Sequence, residues 1–215
     1  TCVDVTFGGG GHSKEILNKL GQGGKLFAFD QDKDAEANEL EDERFELVKH
    51  NFRYLKKFLK FYNAIPVDAV LADLGVSSHQ FDTGERGFSI REDGELDMRM
   101  NRKSALTAKK VVNDYPEAEL YRVFNSFADL QNVKKVVSTI TGRRKREKIQ
   151  TTLQLVEMLE GLVPYKKKKQ FLAQVFQAIR IEVNDEMGAL MDMLEQTVEV
   201  IKPGGRLVVI SYHSI

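Results

Sequence analysis

Thr1–Ser13 reads TCVDVTFGGGGHS, and this stretch decides the fold. Val3, Val5 and Phe7 alternate with other residues, which predicts a strand. Four glycines follow. His12–Leu20 then carries Ile16, Leu17 and Leu20 on one helical face, and Gly21-Gln22-Gly23-Gly24 ends the helix. The same alternation continues downstream. Lys25–Asp30 (KLFAFD) predicts a second strand, Asp34–Glu41 a short polar helix and Phe45–Lys49 (FELVK) a third strand. Tyr54–Tyr62 predicts another helix and Asp68–Asp73 (DAVLAD) a fourth strand. Strands and helices in strict alternation imply an α/β fold with a mostly parallel, doubly wound sheet.

The periodicity stops after Asp73. Leu74–Asn101 is rich in Gly, Ser, Asp and Arg and has no apolar repeat. So long an irregular stretch in a compact domain is functional or disordered. Helical patterns resume at Pro116–Asn125, Leu130–Thr141, Thr151–Leu162 and Lys169 to about Val200. Lys202-Pro203-Gly204-Gly205 then turns into an apolar strand, Arg206–Tyr212 (RLVVISY). The helical block therefore reads as an insertion between the fourth and fifth sheet strands. Residues 1–84 and 169–215 are expected to form the core, and 85–168 an inserted loop and helical subdomain.

Composition limits the function classes. A chain of 215 residues with 42% hydrophobic content has room for one large α/β domain, or a core with a smaller insert. Lys+Arg and Asp+Glu both number 32, so any nucleic-acid partner needs a local basic patch rather than a global excess. The single cysteine, Cys2, allows no intramolecular disulfide and fits a reducing, cytoplasmic setting. No apolar run approaches the roughly 20 residues that span a bilayer, so no membrane partner is expected. His12, His50, His79 and His213 lack ligand spacing, so no metal site is expected. The chain starts on a strand without Met and ends just after another, so it reads as trimmed at both ends.

The glycine loop Gly8–Gly11 lets a ligand approach the backbone, because no Cβ blocks it, and it offers free N–H groups at a helix N-terminus. Ser13 and the preceding loop are candidate N-caps. Asp30 ends the second strand about twenty residues later, where a carboxylate can accept both hydroxyls of a ribose. Loop and acid together fit two cofactor classes. The dinucleotide fingerprint G-x-G-x-x-G fails in both frames, at Ser13 when started from Gly8 and at His12 when started from Gly10. S-adenosylmethionine has no pyrophosphate and does not need the third glycine, so it is the expected cofactor. Asp73 ends the fourth strand, and ligands of doubly wound sheets lie at the carboxyl ends of strands. Asp30, Asp73 and the loop should therefore face one crevice.

Ala72–Asn101 reads ADLGVSSHQFDTGERGFSIREDGELDMRMN. With TFGGGGHS, FQAIRIEVNDE (Phe176–Glu186) and KPGGRLVVISYHSI (Lys202–Ile215), it closely resembles the bacterial small-subunit (16S) ribosomal RNA cytosine-N4 methyltransferase family of the RsmH/MraW type. The resemblance implies a Rossmann-like class I methyltransferase core. It also implies cofactor contacts at Gly10, Gly11, His12, Asp30, Phe52, Asp73 and Gln80. Phe52, which would pack against the adenine, and Gln80 come from the resemblance alone. The implied partner is small-subunit ribosomal RNA or the assembled subunit. The chain departs from the family pattern at His79, around Phe124–Asp129 and just before Phe176, which bears on RNA contacts more than on the cofactor.

The implied reaction moves a sulfonium methyl to the N4 amine of a cytidine. Asp73 is the candidate acceptor for the amine N–H, or it serves the cofactor alone. Arg86, Arg91, Arg99 and Arg102 are the better candidates for RNA phosphates, whereas Arg143–Arg146 and Lys166–Lys169 read as solvated helix ends. Two rivals remain at this level. One is an amino-methyltransferase for another nucleic acid, which usually carries a polar-Pro-Pro-aromatic motif where this chain has Asp73-Leu74-Gly75-Val76. The other is a non-catalytic RNA-binding or ribosome-assembly protein with a cofactor pocket.

Overall fold

A computed structural model describes residues 1–75 and 84–211. Gln80, His79 and His213 lie outside the described residues. The described chain forms two compact units, 1–75 with 186–211, and 84–185.

The first unit is a sheet of five parallel strands in the order β3-β2-β1-β4-β5. The strands are β1 (Cys2–Asp4), β2 (Leu26–Phe29), β3 (Phe45–Val48), β4 (Val67–Leu74) and β5 (Ile201–Ser211). The helices are α1 (Gly11–Lys19), α2 (Leu55–Phe61) and, further along the chain, α8 (Glu186–Val200). This is the doubly wound, Rossmann-like order. The chain steps outward from β1 to β3, then returns to the other side of β1 for β4.

Side-chain parity divides the core between the two faces of the sheet. Val3, Val5, Phe27, Phe29, Val48 and Val70 pack with Leu55 and Leu59 of α2 and Met193 and Val200 of α8. Leu26, Ala28, Phe45 and Leu47 pack on the opposite face with Phe7 and with Leu17 of α1. The polar helix expected at Asp34–Glu41 is a 3₁₀ turn, Lys33–Asn38, started by the Asp32 side chain accepting from the Asp34 N–H at 3.1 Å. Lys202–Gly205 bulges out of β5, since Val67 pairs with Ile201 and Ala69 already with Arg206. A Cβ on Gly205 would lie 2.7 Å from the Asp68 carbonyl oxygen, so the bulge closes only over glycine.

The second unit holds α3 (Ala108–Asp114), α4 (Glu117–Phe127), α5 (Val133–Arg144), α6 (Thr152–Glu160) and α7 (Lys168–Asn184). Leu120, Phe124, Ile140, Leu155, Leu159 and Ile179 are fully buried in it. α6 opens with a capping box between Thr151 and Gln154. The periodicity from Lys169 to about Val200 suggests one helix, but the chain breaks it at Asp185, which takes a left-handed conformation (φ 46°, ψ 48°). Aspartate and asparagine tolerate that region best among non-glycine residues. Asn184 reinforces the break by donating to the Met98 carbonyl (2.8 Å) and accepting from the Met100 N–H (2.7 Å).

The irregular stretch beyond Gly84 is ordered by its own backbone. Leu96 and Met98 are fully buried, and a Cβ on Gly87 (φ +77°) would meet the Asp97 nitrogen at 2.9 Å. Arg86 is buried, lies over the Phe88 ring and donates to the Arg99 carbonyl at 2.8 Å. Arg99 grips both oxygens of Asp97 and donates to the Arg102 and Ser104 carbonyls. Two of the four arginines favoured above for RNA phosphates are therefore engaged in holding the loop. Asn113 plays a similar part: its side chain donates to the Ile149 carbonyl (2.7 Å) and accepts from the Ile149 N–H (2.9 Å). Asn113→Ala orphans both backbone groups and is expected to lower unfolding free energy by about 1–3 kcal/mol. An unchanged urea midpoint would show that the side chain does not staple these segments together.

Candidate functional site

In the first unit β1 lies between β2 and β4, so the chain's direction of winding reverses at the β1–β4 boundary. Crevices for ligands form at the carboxyl end of such a boundary. Phe7–Gly11 leaves β1 at that end. The loop closes by a hydrogen bond from the Gly10 N–H to the Phe7 carbonyl at 2.8 Å. Gly8 (φ 50°) and Gly10 (φ 76°) are left-handed, and a Cβ on Gly10 would press on the Phe7 ring at 3.1 Å. A Cβ on Gly9 or Gly11 would meet no atom within 4 Å. Gly8 and Gly10 serve the turn, and Gly9 and Gly11 leave open space beside the backbone.

Asp30, just after β2, is wired to this loop. Its Oδ2 accepts from the Gly8 N–H and its Oδ1 from the Asp32 N–H, both at 2.8 Å. Each oxygen keeps acceptor capacity for an incoming hydroxyl. Burial pushes the carboxyl up to about 6, with Asp32 and Asp4 adding repulsion against the two hydrogen bonds. Asn38 donates to the Gly8 carbonyl at 3.1 Å and ties the 3₁₀ turn to the same loop.

Behind the loop stands Asp4, the last residue of β1, which has no exposed surface. Its Oδ2 accepts from the Ser13 hydroxyl at 2.8 Å, and its Oδ1 from the Thr6 N–H at 3.0 Å. Burial raises its pKa, against those bonds and His12. Ser13 is itself fully buried. It does not cap α1; Gly10 occupies the N-cap position without a side-chain bond. The Thr6 hydroxyl donates weakly to Asp4 (3.4 Å) and accepts from the Asp73 N–H at 2.8 Å. One threonine thus joins the carboxyl ends of β1 and β4.

Asp73 and His12 meet at that junction. His12 Nε2 lies 3.2 Å from Asp73 Oδ2. The other oxygen, Asp73 Oδ1, is buried and has no hydrogen-bond partner among the described residues. A buried acceptor left alone is rare and points to an absent partner. Phe52 sits at the start of the 3₁₀ turn Phe52–Tyr54 that follows β3, half-buried against the α2–α8 side of the core. Asn51 beside it accepts from the Arg53 N–H and donates to Gln31 at 3.0 Å, linking the ends of β2 and β3.

The geometry joins Gly10, Gly11, His12, Asp30 and Asp73 around one strand edge. Sequence reasoning missed Asp4 and Thr6. The available signal was an acid inside the alternating V-D-V-T run, at a position whose neighbours in the sheet, Ala28 and Leu71, are apolar. Among the described residues, no cluster of His, Cys, Asp and Glu is arranged to hold a metal, and no helix is long and apolar enough to cross a membrane.

The sequence pattern of the MraW methylase family matches residues 1–215. The chain is similar to proteins named ribosomal RNA small subunit methyltransferase H. It is 58% identical to the one from Flavobacterium johnsoniae, over 99% of this chain and 70% of that protein. It is 57% identical to that of Christiangramia forsetii, over 99% and 70%. With that of Bacteroides fragilis the identity is 54%, over 100% and 71%.

Asp30 carries a pH signature. Its folded pKa, about 6, lies above the ordinary 3.8, so the folded chain holds that proton more tightly than the unfolded chain. Stability should therefore fall as pH rises from about 4 to about 6 and level off above, and Asp30→Asn should flatten that segment. Asp42, held at about 2 by Arg44, acts with the opposite sign below that window. An identical pH–stability curve for the variant would contradict the assignment.

Proposed function

Since the chain belongs to the MraW methylase family, we propose that it transfers the methyl group of S-adenosylmethionine to the exocyclic N4 of a cytidine in small-subunit ribosomal RNA. The observation that carries this reading is Asp73 Oδ1 at the β1–β4 boundary, buried and without a partner among the described residues. Open space beside Gly9 and Gly11 and the two-pronged carboxylate of Asp30 fit the cofactor as well. When bound, S-adenosylmethionine supplies an electrophilic sulfonium methyl.

The chain's residues do the rest. Gly10, Gly11 and His12 line the cofactor's place along the loop, and Asp30 accepts from its ribose hydroxyls. Phe52 and Gln80 complete the cofactor set by analogy with the family. The N4 lone pair of cytidine is delocalised into the ring, so the amine is a weak nucleophile. The Asp73 carboxylate accepts a hydrogen bond from its N–H and favours a localised lone pair. His12, 3.2 Å from Oδ2, orients that carboxylate. The cytidine must be unstacked to reach the crevice. A substrate in the RNA of the small subunit, free or assembled, fits a cytoplasmic protein.

Two measurements test the assignments. Asp30→Ala should weaken S-adenosylmethionine binding about tenfold to a hundredfold, the range for losing a charged hydrogen bond. In the parent protein that affinity should drop as pH falls through about 6, when Asp30 takes up its proton. Asp73→Asn should keep cofactor affinity by calorimetry while methyl transfer to small ribosomal subunits collapses. Equal loss of both would confine Asp73 to cofactor binding, and full turnover would remove it from the chemistry.

A further inference from the structure

We infer that the outer face of α5, in the second unit, is a docking ridge for the phosphate backbone of the substrate RNA. This rests on the ribosomal RNA reading proposed above. α5 buries Val133, Val136, Val137, Ile140 and Thr141, a spacing that fixes one face inward. The other side shows Lys134, Lys135, Ser138 and Gly142, and the chain continues with exposed Lys145 and Arg146.

Three observations single this face out. First, α5 carries four cations and not one carboxylate in its sequence, VKKVVSTITGRR, although its neighbour α4 begins with Glu117 and Glu119. Second, the cations of Lys134, Lys135, Lys145 and Arg146 meet no carboxylate among the described residues. Arg99, Arg122, Lys148 and Lys168 of the same unit do meet carboxylates, at Asp97, at Glu119 and Glu182, at Asp114 and at Glu160, whereas Lys166, Lys167 and Lys169 share the unmatched state and serve as the comparison below. Third, Gly142 lies on the exposed side at a helical site where a Cβ would meet nothing within 4 Å. Glycine there is about 1 kcal/mol worse than alanine for the helix, and no packing in the structure requires it. With Ser138 it leaves a low saddle between two pairs of cations. A saddle of small residues between cations suits a polyanionic backbone that lies across the helix. An acidic protein surface would need matched carboxylates at both ends.

The test uses the full chain and two probes, a small-subunit ribosomal RNA transcript and intact small subunits. Lys134→Gln, Lys135→Gln, Lys145→Gln and Arg146→Gln are combined in one variant. A second variant removes three charges elsewhere in the unit, through Lys166→Gln, Lys167→Gln and Lys169→Gln. Each phosphate contact contributes about 0.7–0.9 to the slope of log K against log salt, so the first variant should lose about 3 from that slope. On subunits it should raise KM more than tenfold and leave kcat unchanged. Replacing Lys134, Lys135 and Lys145 with Arg should retain the parent slope. A folded first variant with an unchanged slope would overturn the proposal. So would an equal loss per charge from the second variant, which would reduce the effect to net charge. If the parent protein transfers no methyl group, the function proposed above fails, while the salt slope still reads the ridge by itself.

Discussion

The site rests on a carboxylate placed where the fold would otherwise put an apolar side chain. Asp4 ends β1 with no exposed surface, on the side of the sheet where α1 begins. A buried acceptor left without a partner costs about 1–3 kcal/mol, and a buried charge costs more. The chain answers with Ser13 from the helix and Thr6 from the loop. Those bonds fix where α1 starts relative to β1, and therefore where the four glycines run. Thr6 then turns its hydroxyl to the Asp73 N–H, so the acid at the end of β4 is held in register with the loop. Asp30 performs the same office on the other side, receiving the Gly8 N–H. Three strand-end acids thus hold one loop from behind, from one flank and from the other.

This arrangement explains what sequence could reveal. The glycine run, Asp30 and Asp73 are legible because each breaks a pattern: a tight turn has no need of four glycines, and an acid ends an apolar strand. The alternation of strands and helices is legible because parity and helical period are local. Asp4 is not legible in that way. It sits among valines, and only the tertiary position of Ser13, nine residues on, explains why an acid is tolerated there. The break at Asp185 is hidden for a related reason. Apolar periodicity runs on either side of it, and what stabilises the break is an Asn184 side chain bonded to Met98 and Met100, far back in the sequence. The seven-residue helix α3 is too short to leave a period.

The long stretch after Asp73 shows that irregular sequence does not mean loose structure. From Gly84 onward it folds on itself through left-handed Gly87, buried Leu96 and Met98, and backbone bonds to Gln150 and Thr152. Arginine-rich composition there suggests phosphate contacts. Guanidinium groups, however, offer five donors in a planar fork, and carbonyls of an irregular chain need donors. Arg86 and Arg99 meet that need inside the loop.

The reverse holds for α5. In a regular helix every interior carbonyl already has its partner, so cations on its outer face have no internal task to perform. Near the C-terminal turn the two arginines are engaged within the unit: Arg144 donates to the Val112 carbonyl of α3, and Arg143 pairs with the Glu147 carboxylate. Lys134 and Lys135, at the opposite end, stand near the positive pole of the helix dipole, where cations are disfavoured. No carboxylate among the described residues offsets that placement. A cation pair maintained against the dipole, about two turns from an exposed glycine the helix does not need, is what a surface shaped for an external anion would require. Whether a basic residue serves the fold or a partner is thus decided by which backbone groups around it are already satisfied, a property that spacing along the chain does not encode.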